Sequence, residues 1–247
     1  MINLKNFIII LVNTQLPENL GATARSMLNF GLTKLRIVSP RFDLKNEKIL
    51  PVAVGADKVI DNAEYFDTFE DSIKDINFLV ACTARKRTFN KKVLSIQKAC
   101  DEMNIKSEDG NKIGIIFGPE NSGLTNEHLS FVDRILIISS NPSFSSLNLS
   151  HAVILICYEL FNKQVSEFNS SSKKEKFVIA SKNDLINFFF MLEKLLHESG
   201  FFKTSERERT MVNKLRNIFN RMDLTKNEID SLMGIINSLA RNNKNIK

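Results

Sequence analysis

Two stretches of the chain have the make-up of ligand-binding loops. Ile115-Ile116-Phe117 runs into Gly118-Pro119-Glu120-Asn121-Ser122-Gly123-Leu124, and Arg134-Ile135-Leu136-Ile137-Ile138 runs into a small-residue segment that ends Phe144-Ser145-Ser146-Leu147-Asn148-Leu149. An apolar run that stops at such a turn reads as a buried strand delivering a loop to the carboxyl edge of a sheet, where open α/β folds bind ligands. A third segment, Pro17-Glu18-Asn19-Leu20-Gly21-Ala22-Thr23-Ala24-Arg25, is a loop entering a helix with a small face at Gly21, Ala22 and Ala24. Small residues there allow close approach to a sheet or a ligand, and Arg25 follows one helical turn later. Its guanidinium is a permanent positive charge and a poor base unaided. For an arbitrary arginine, an exposed place on a surface helix is the ordinary reading.

The neighbouring polar residues divide by chemistry. Asn19 and Asn148 carry amides that do not titrate, so they suit holding loop geometry or a ligand hydroxyl rather than proton transfer. Glu120 could orient Arg25, in its own chain or in a second copy, or cap nearby backbone amides. Ser145 and Ser146 have no evident Asp/His relay, which argues against a nucleophilic serine. The histidines, His128, His151 and His197, stand in no His/Cys/Asp spacing that suits a metal, so each is expected to be solvated or at a helix end and no metal is expected.

The elements that would carry these loops follow from hydrophobic pattern. Strands are predicted at Phe7–Val12, Lys34–Val38, Phe78–Ala81, Lys112–Phe117 and Arg134–Ile138; helices at Leu20–Phe30, about Val93–Met103 and Leu149–Phe161. This alternation predicts an α/β fold, a mostly parallel sheet with helices on both faces. Hydrophobics then thin out around Lys163–Lys176, where serines and lysines mix. The domain reading is a sheet domain over 1–163, a linker over 164–179 and a small all-helical extension over 180–247. In the extension Leu185, Phe188, Phe189, Leu192, Leu195 and Leu196 recur at helical spacing, Gly200 is a stop signal, and Ser205-x-x-Glu208 and Thr225-x-x-Glu228 are capping boxes.

Composition bounds the partners. The chain has 247 residues, of which 43% are hydrophobic and 25% charged, ordinary values for a globular protein. Net charge is +6 from 34 basic and 28 acidic residues, which favours a polyanionic partner without identifying it. Cys82, Cys100 and Cys157 are odd in number and widely spaced, so neither a disulfide framework nor zinc is expected and a reducing cytoplasm fits. Nothing approaches a membrane-spanning run, and the apolar Phe7–Val12 lacks a cleavage region, so export and membrane insertion are not expected. Neither a dinucleotide-binding nor a P-loop glycine motif is present.

Taken together, Asn19-x-Gly21-x-x-x-Arg25, Phe117-Gly118-Pro119-Glu120-x-x-Gly123-Leu124 and Ser145-Ser146-Leu147-Asn148-Leu149 resemble the three ordered motifs of SPOUT-class, SpoU-type RNA 2'-O-methyltransferases. Ala84-Arg85-x-Arg87-Thr88 and Met211-Val212-Asn213-Lys214-Leu215-Arg216-Asn217-Ile218-Phe219 resemble the bacterial TrmJ type. That group methylates the ribose of cytidine or uridine at position 32 of the tRNA anticodon loop. The resemblance implies a trefoil knot at the end of the sheet domain, a homodimer, and S-adenosyl-L-methionine as methyl donor, released as S-adenosyl-L-homocysteine.

Carried over residue by residue, it implies donor contacts at Cys82, Thr83, Ala84, Gly118, Ile138, Ser145, Ser146 and Leu147, and a role for Arg25 at the acceptor hydroxyl with Asn19, Asn148 and Glu120 about it. RNA contact is expected from the cation run Arg85, Lys86, Arg87, Lys91 and Lys92 beside a donor loop, and from Lys214 and Arg216 in the tail. tRNA is the expected partner, with no membrane and no DNA. A related enzyme acting on another tRNA site or on rRNA is the nearer alternative. A non-catalytic knotted RNA-binding protein is the more distant one.

Overall fold

The computed structural model describes residues 4–84, 91–166, 178–202 and 205–244. Its centre is the strand β1 (Phe7–Val12), six apolar residues that are all buried. A strand covered on both faces has no polar side to alternate with, and it requires helices above and below. Around it lie β2 (Lys34–Val38), β3 (Glu64–Phe66), β4 (Phe78–Cys82), β5 (Val93–Ser95), β6 (Ile113–Phe117) and β7 (Arg134–Ile137). They form one sheet in the order β3-β2-β1-β6-β4-β7-β5. Every pairing is parallel, with Ile9 opposite Leu35 on one side and Ile115 on the other.

The predicted elements are present, with one exchange of type. The helix expected from Val93 begins three residues later: Val93-Leu94-Ser95 is an edge strand on β7, and α5 runs Ile96–Glu108. Three residues that add a last ladder to the sheet carry no helical or alternating signature of their own. The other helices are α1 (Pro17–Asn29), α2 (Ile49–Ala53), α3 (Asp57–Asp61), α4 (Phe69–Ile73), α6 (Asn126–Phe131), α7 (Leu149–Ser166), α8 (Lys182–Glu198), α9 (Ser205–Phe219) and α10 (Lys226–Lys244).

Alternate residues of β1 feed two cores. Phe7, Ile9 and Leu11 pack with α1, α2, α3, α5 and α7 through residues such as Met27, Ile49, Cys100 and Ile156. Ile8, Ile10 and Val12 pack on the other face with α4, α6, α8 and α10 through Ile73, Leu129, Phe188 and Ile229. The helical tail is therefore the second cover of the sheet. The apolar stripe read at Leu185, Phe188 and Phe189 is what meets the strands.

Local signals fix the ends of the tail helices. Ser181 and Asp184 exchange side-chain and backbone bonds at the start of α8, and Gly200, at φ 72°, closes it in the left-handed conformation that glycine tolerates. Thr225 and Glu228 form the expected capping box, the carboxylate accepting from the Thr225 amide at 2.7 Å. The Ser205 box rests on a side chain outside the described residues, as do 167–177 of the expected linker. α7 extends to Ser166, and Ile179 and Ala180 are tied by their amides to Asn111 Oδ1 and the Leu224 carbonyl at 2.8 Å each.

A buried polar cluster joins the tail to the sheet. Lys182 is 1% exposed and donates to Asp133 Oδ1 at 2.7 Å and to Asn220 Oδ1 at 2.9 Å. Asp133 Oδ2 accepts the Leu79 amide at 2.6 Å. Asn220 Nδ2 donates to the carbonyls of Ser130 and Arg216. Beside them Lys91 is 6% exposed and donates to the carbonyls of Ser130 and Val132. Burial pushes the Asp133 carboxyl up while Lys182 draws it back down. It pushes the Lys91 ammonium down to about 7, with the charge of Asp133 opposing.

Two measurements test this cluster. Lys182→Ala strands a buried carboxylate and is expected to lower the urea-unfolding free energy by about 3–5 kcal/mol; a loss comparable to that of an exposed lysine would refute the ion pair's role. For Lys91, the unfolded chain holds its proton up to 10.5 whereas the folded chain releases it near 7, so the unfolded state binds more protons in that window and stability rises with pH. The stability of the wild type relative to Lys91→Met should therefore climb between those pH values; a flat difference would contradict the burial.

Candidate active site

The carboxyl ends of β6, β4 and β7 are neighbours in the sheet, and each releases a loop. β4 ends at Cys82, with the Thr83 amide still bonded to the Leu136 carbonyl at 3.1 Å. β6 ends at Phe117 and enters the turn Gly118–Leu124, closed by the Gly123 amide on the Pro119 carbonyl at 2.8 Å. β7 leads through Ile138 into a loop pinned by Asn141, whose carbonyl and side chain take the amides of Phe144 and Ser143. That loop runs into α7.

The loops enclose a cleft of about 320 Å³. All eight residues expected to touch the donor, Cys82, Thr83, Ala84, Gly118, Ile138, Ser145, Ser146 and Leu147, line it. Leu124, Leu147 and Ile138 supply apolar wall, while the loop backbones supply amides and carbonyls. A Cβ on Gly118 would run into the Leu124 amide nitrogen and the Gly123 carbonyl carbon, so only glycine lets the turn fold back there. Gly123 sits at φ 66°, a left-handed position that favours glycine. Burial pushes the Cys82 thiol up to about 12, which keeps it protonated and unreactive at neutral pH.

Glu120 fastens this turn to the start of α1. Its carboxylate accepts the amides of Gln15 at 2.9 Å and Leu16 at 3.4 Å and the Asn19 side-chain amide at 2.7 Å. Asn19 Oδ1 in turn accepts from Asn148 Nδ2 at 2.9 Å, and Asn148 Oδ1 takes the Ser150 amide and hydroxyl at 2.9 and 2.8 Å. One continuous chain of bonds thus links three of the four residues expected at the catalytic end to three separate elements. Of the two readings open for Glu120, capping amides is the one seen within the chain.

Arg25 stands apart. It is exposed on α1, outside the cleft lining, with no ion pair among the described residues. The small face beside it serves helix packing: a Cβ on Gly21 would overlap the Ile49 carbonyl oxygen, so this glycine seats α2 against α1.

Several expected RNA contacts have other placements. Lys91 is buried in the cluster described above and offers no charge to solvent. Arg216 is held by Glu193 through Nε and Nη2 at 2.8 and 3.2 Å and covers the rings of Phe131 and Phe189 at 4.7 and 5.9 Å, so it clamps α9 onto α8. Lys92 is exposed with its ammonium 3.6 Å from Glu102, and Lys214 is exposed on α9. Arg85, Lys86 and Arg87 lie outside the described residues. His128 takes the helix-end placement of the two expected: at the start of α6 its Nδ1 accepts the Thr125 amide at 3.3 Å and its own amide donates to Thr125 Oγ1 at 3.2 Å, while the half-buried ring packs 4.8 Å from Phe69. Among the described residues no group of three or more His, Cys, Asp or Glu could hold a metal ion, and no helix is long and apolar enough to cross a membrane.

Comparison with known proteins agrees with this geometry. Residues 6–158 match the SpoU rRNA Methylase family, and residues 183–247 match the C-terminal domain of the tRNA methyltransferase TrmJ. The chain is 33% identical to the tRNA (cytidine/uridine-2'-O-)-methyltransferase TrmJ of Citrobacter koseri, over 98% of its own length and 99% of the relative's. It is 33% identical to the enzyme of that name from Escherichia coli O6:K15:H31, over 99% of each. The crystal structure of TrmJ from Z. mobilis ZM4 superposes with a TM-score of 0.84 at 35% identity, covering 94% of this chain and 98% of that one. With both segments matched in order and at nearly full length, the chain belongs to the SpoU methylase family, in the group whose members end in the TrmJ C-terminal domain.

Proposed function

We propose that the protein transfers a methyl group from S-adenosyl-L-methionine to the ribose 2'-hydroxyl of a cytidine or uridine in tRNA, at position 32 of the anticodon loop. The observation that carries this reading is the three-loop cleft, bonded through Glu120, Asn19 and Asn148 to the helix that bears Arg25. Its full-length relatives, tRNA (cytidine/uridine-2'-O-)-methyltransferases, support the substrate class.

The cleft suits the donor. Loop amides and carbonyls can hold an adenine edge, Leu124, Leu147 and Ile138 can wall its faces, and the missing side chain of Gly118 lets Gly123 and Leu124 fold back to form that wall. When bound, the donor supplies an electrophilic methyl on a sulfonium. The protein's part is to hold the acceptor oxygen in line with that methyl and to stabilise the charge that grows on it as its proton leaves. Arg25, always protonated, stabilises the developing alkoxide, and the proton passes to solvent or to an RNA phosphate. Asn19 and Asn148 fix the loops, and Glu120 sets the entry to α1.

Because Arg25 is exposed and outside the lining of its own cleft, a second copy is the source we assign for the arginine at each site. An apolar strip supports the homodimer: Leu155, Tyr158 and Phe161 of α7 are 39%, 50% and 38% exposed, and Phe30 of α1 packs on the latter two rings at 5.7 and 5.9 Å. Exposed contiguous apolar surface of this kind marks association. Arg85, Lys86, Arg87 and Lys214 remain our candidates for tRNA phosphates.

The deciding experiment incubates the protein with unmodified tRNA and labelled donor and maps the modified nucleotide. Methylation at another tRNA position or in rRNA would redirect the substrate; none at all would sink the reading. Arg25→Ala is expected to lower turnover by about 10²–10³ with donor affinity unchanged by calorimetry, and equal loss of both would remove Arg25 from the chemistry. Gly118→Ala should do the reverse, weakening donor binding at least about tenfold because the new Cβ forces the turn open.

A further inference from the structure

A second cavity of about 270 Å³ lies on the other side of the Gly118–Leu124 turn, sharing Pro119, Asn121 and Gly123 with the first. It stands over the carboxyl ends of β2, β1 and β6, where the strand order reverses about β1. Crevices at such a reversal are where open α/β sheets bind ligands.

Its lining differs in kind from that of the donor cleft. Asn13 follows β1, Arg41 follows β2, and Ser122, Thr125 and His128 come from the turn after β6 and the start of α6. Among the described residues, no carboxylate lines it. Arg41 is exposed, its amide fixed to the Thr14 carbonyl at 2.9 Å, and its guanidinium has no ion pair among the described residues. Gln15 and Asn121 are tied across the rim, Gln15 Oε1 accepting the Asn121 amide at 3.3 Å. His128 Nδ1 already accepts the Thr125 amide, which places the ring proton on Nε2 and makes that nitrogen a donor. Burial holds the ring below its ordinary range, against the opposing charges of Glu70 and Glu127, so the ring is neutral. The cavity therefore offers one fixed positive charge and neutral donors.

We infer that this cavity binds the phosphodiester next to the methylated ribose, with the Arg41 guanidinium as its main anchor and Ser122 and His128 as hydrogen-bond donors. The inference rests on the proposed RNA methylation, since the shared turn makes the two cavities adjacent sites for one strand. A guanidinium matches two phosphate oxygens at once, and a single neutralised phosphate leaves a measurable mark on salt dependence.

The test compares wild type, Arg41→Gln and Ser122→Asp by calorimetry with S-adenosyl-L-methionine, by anisotropy with an unmodified tRNA transcript over a salt series, and by methyl transfer. Neither side chain lines the donor cleft. Arg41→Gln is expected to weaken tRNA binding about tenfold and to make the slope of log affinity against log salt shallower by about 0.7. Ser122→Asp should weaken it further, with donor affinity unchanged for both. If wild type methylates tRNA while both variants bind it with unaltered affinity and slope, the subsite is wrong and the proposed function stands. If wild type binds no donor and methylates no RNA, the proposed function falls and this inference falls with it.

Discussion

The carboxylate of Glu120 is the bond on which the site's shape depends. A turn between two strands of a parallel sheet has no ladder of its own, so its position is set by what its side chains hold. Glu120 gathers two backbone amides and the Asn19 side chain from the entry to α1, and Asn19 passes the connection to Asn148 at the entry to α7. Charge-assisted bonds to amides are stronger and shorter than neutral ones, and three of them on one carboxylate leave it little freedom. Two cavities share the turn that this carboxylate steadies. Any shift of the tether changes both walls at once.

How much of this was legible in sequence depends on how local each cause is. The loops were legible because glycine and proline interrupt buried apolar runs, and those residues act within a few positions of themselves. The capping of α8 by Gly200 and of α10 by Thr225 and Glu228 has the same local origin. By contrast, Val93-Leu94-Ser95 becomes a strand only because β7 has an unfilled edge, and the short helices between Ile49 and Ile73 carry too few turns for a period to show. The apolar face of α8 could be read; what it covers could not.

Charge was the least reliable guide. Lys91 and Arg216 look, in sequence, like parts of a basic surface. What decides their placement is a set of distant partners: the carbonyls of Ser130 and Val132 for one, Glu193 with the rings of Phe131 and Phe189 for the other. A long cationic side chain can end in solvent or at an acceptor in the interior, and its stem is apolar enough for either. Lys214 and Lys92 are exposed cations of the same sequence type. Nothing adjacent in sequence separates the two pairs.

The central place of β1 has a bearing on how the protein is made. Strand β1 is buried along its whole length, and its partner β6 lies about a hundred residues later in the chain. The second face is covered only in part, by α4 and α6, until α8 has been synthesised, since Phe188 and Phe189 complete the packing on Ile8, Ile10 and Val12. Pairings so distant are slow to form, and apolar surface left open meanwhile is prone to aggregate. During synthesis a growing chain thus keeps part of a hydrophobic sheet face open until its last third emerges.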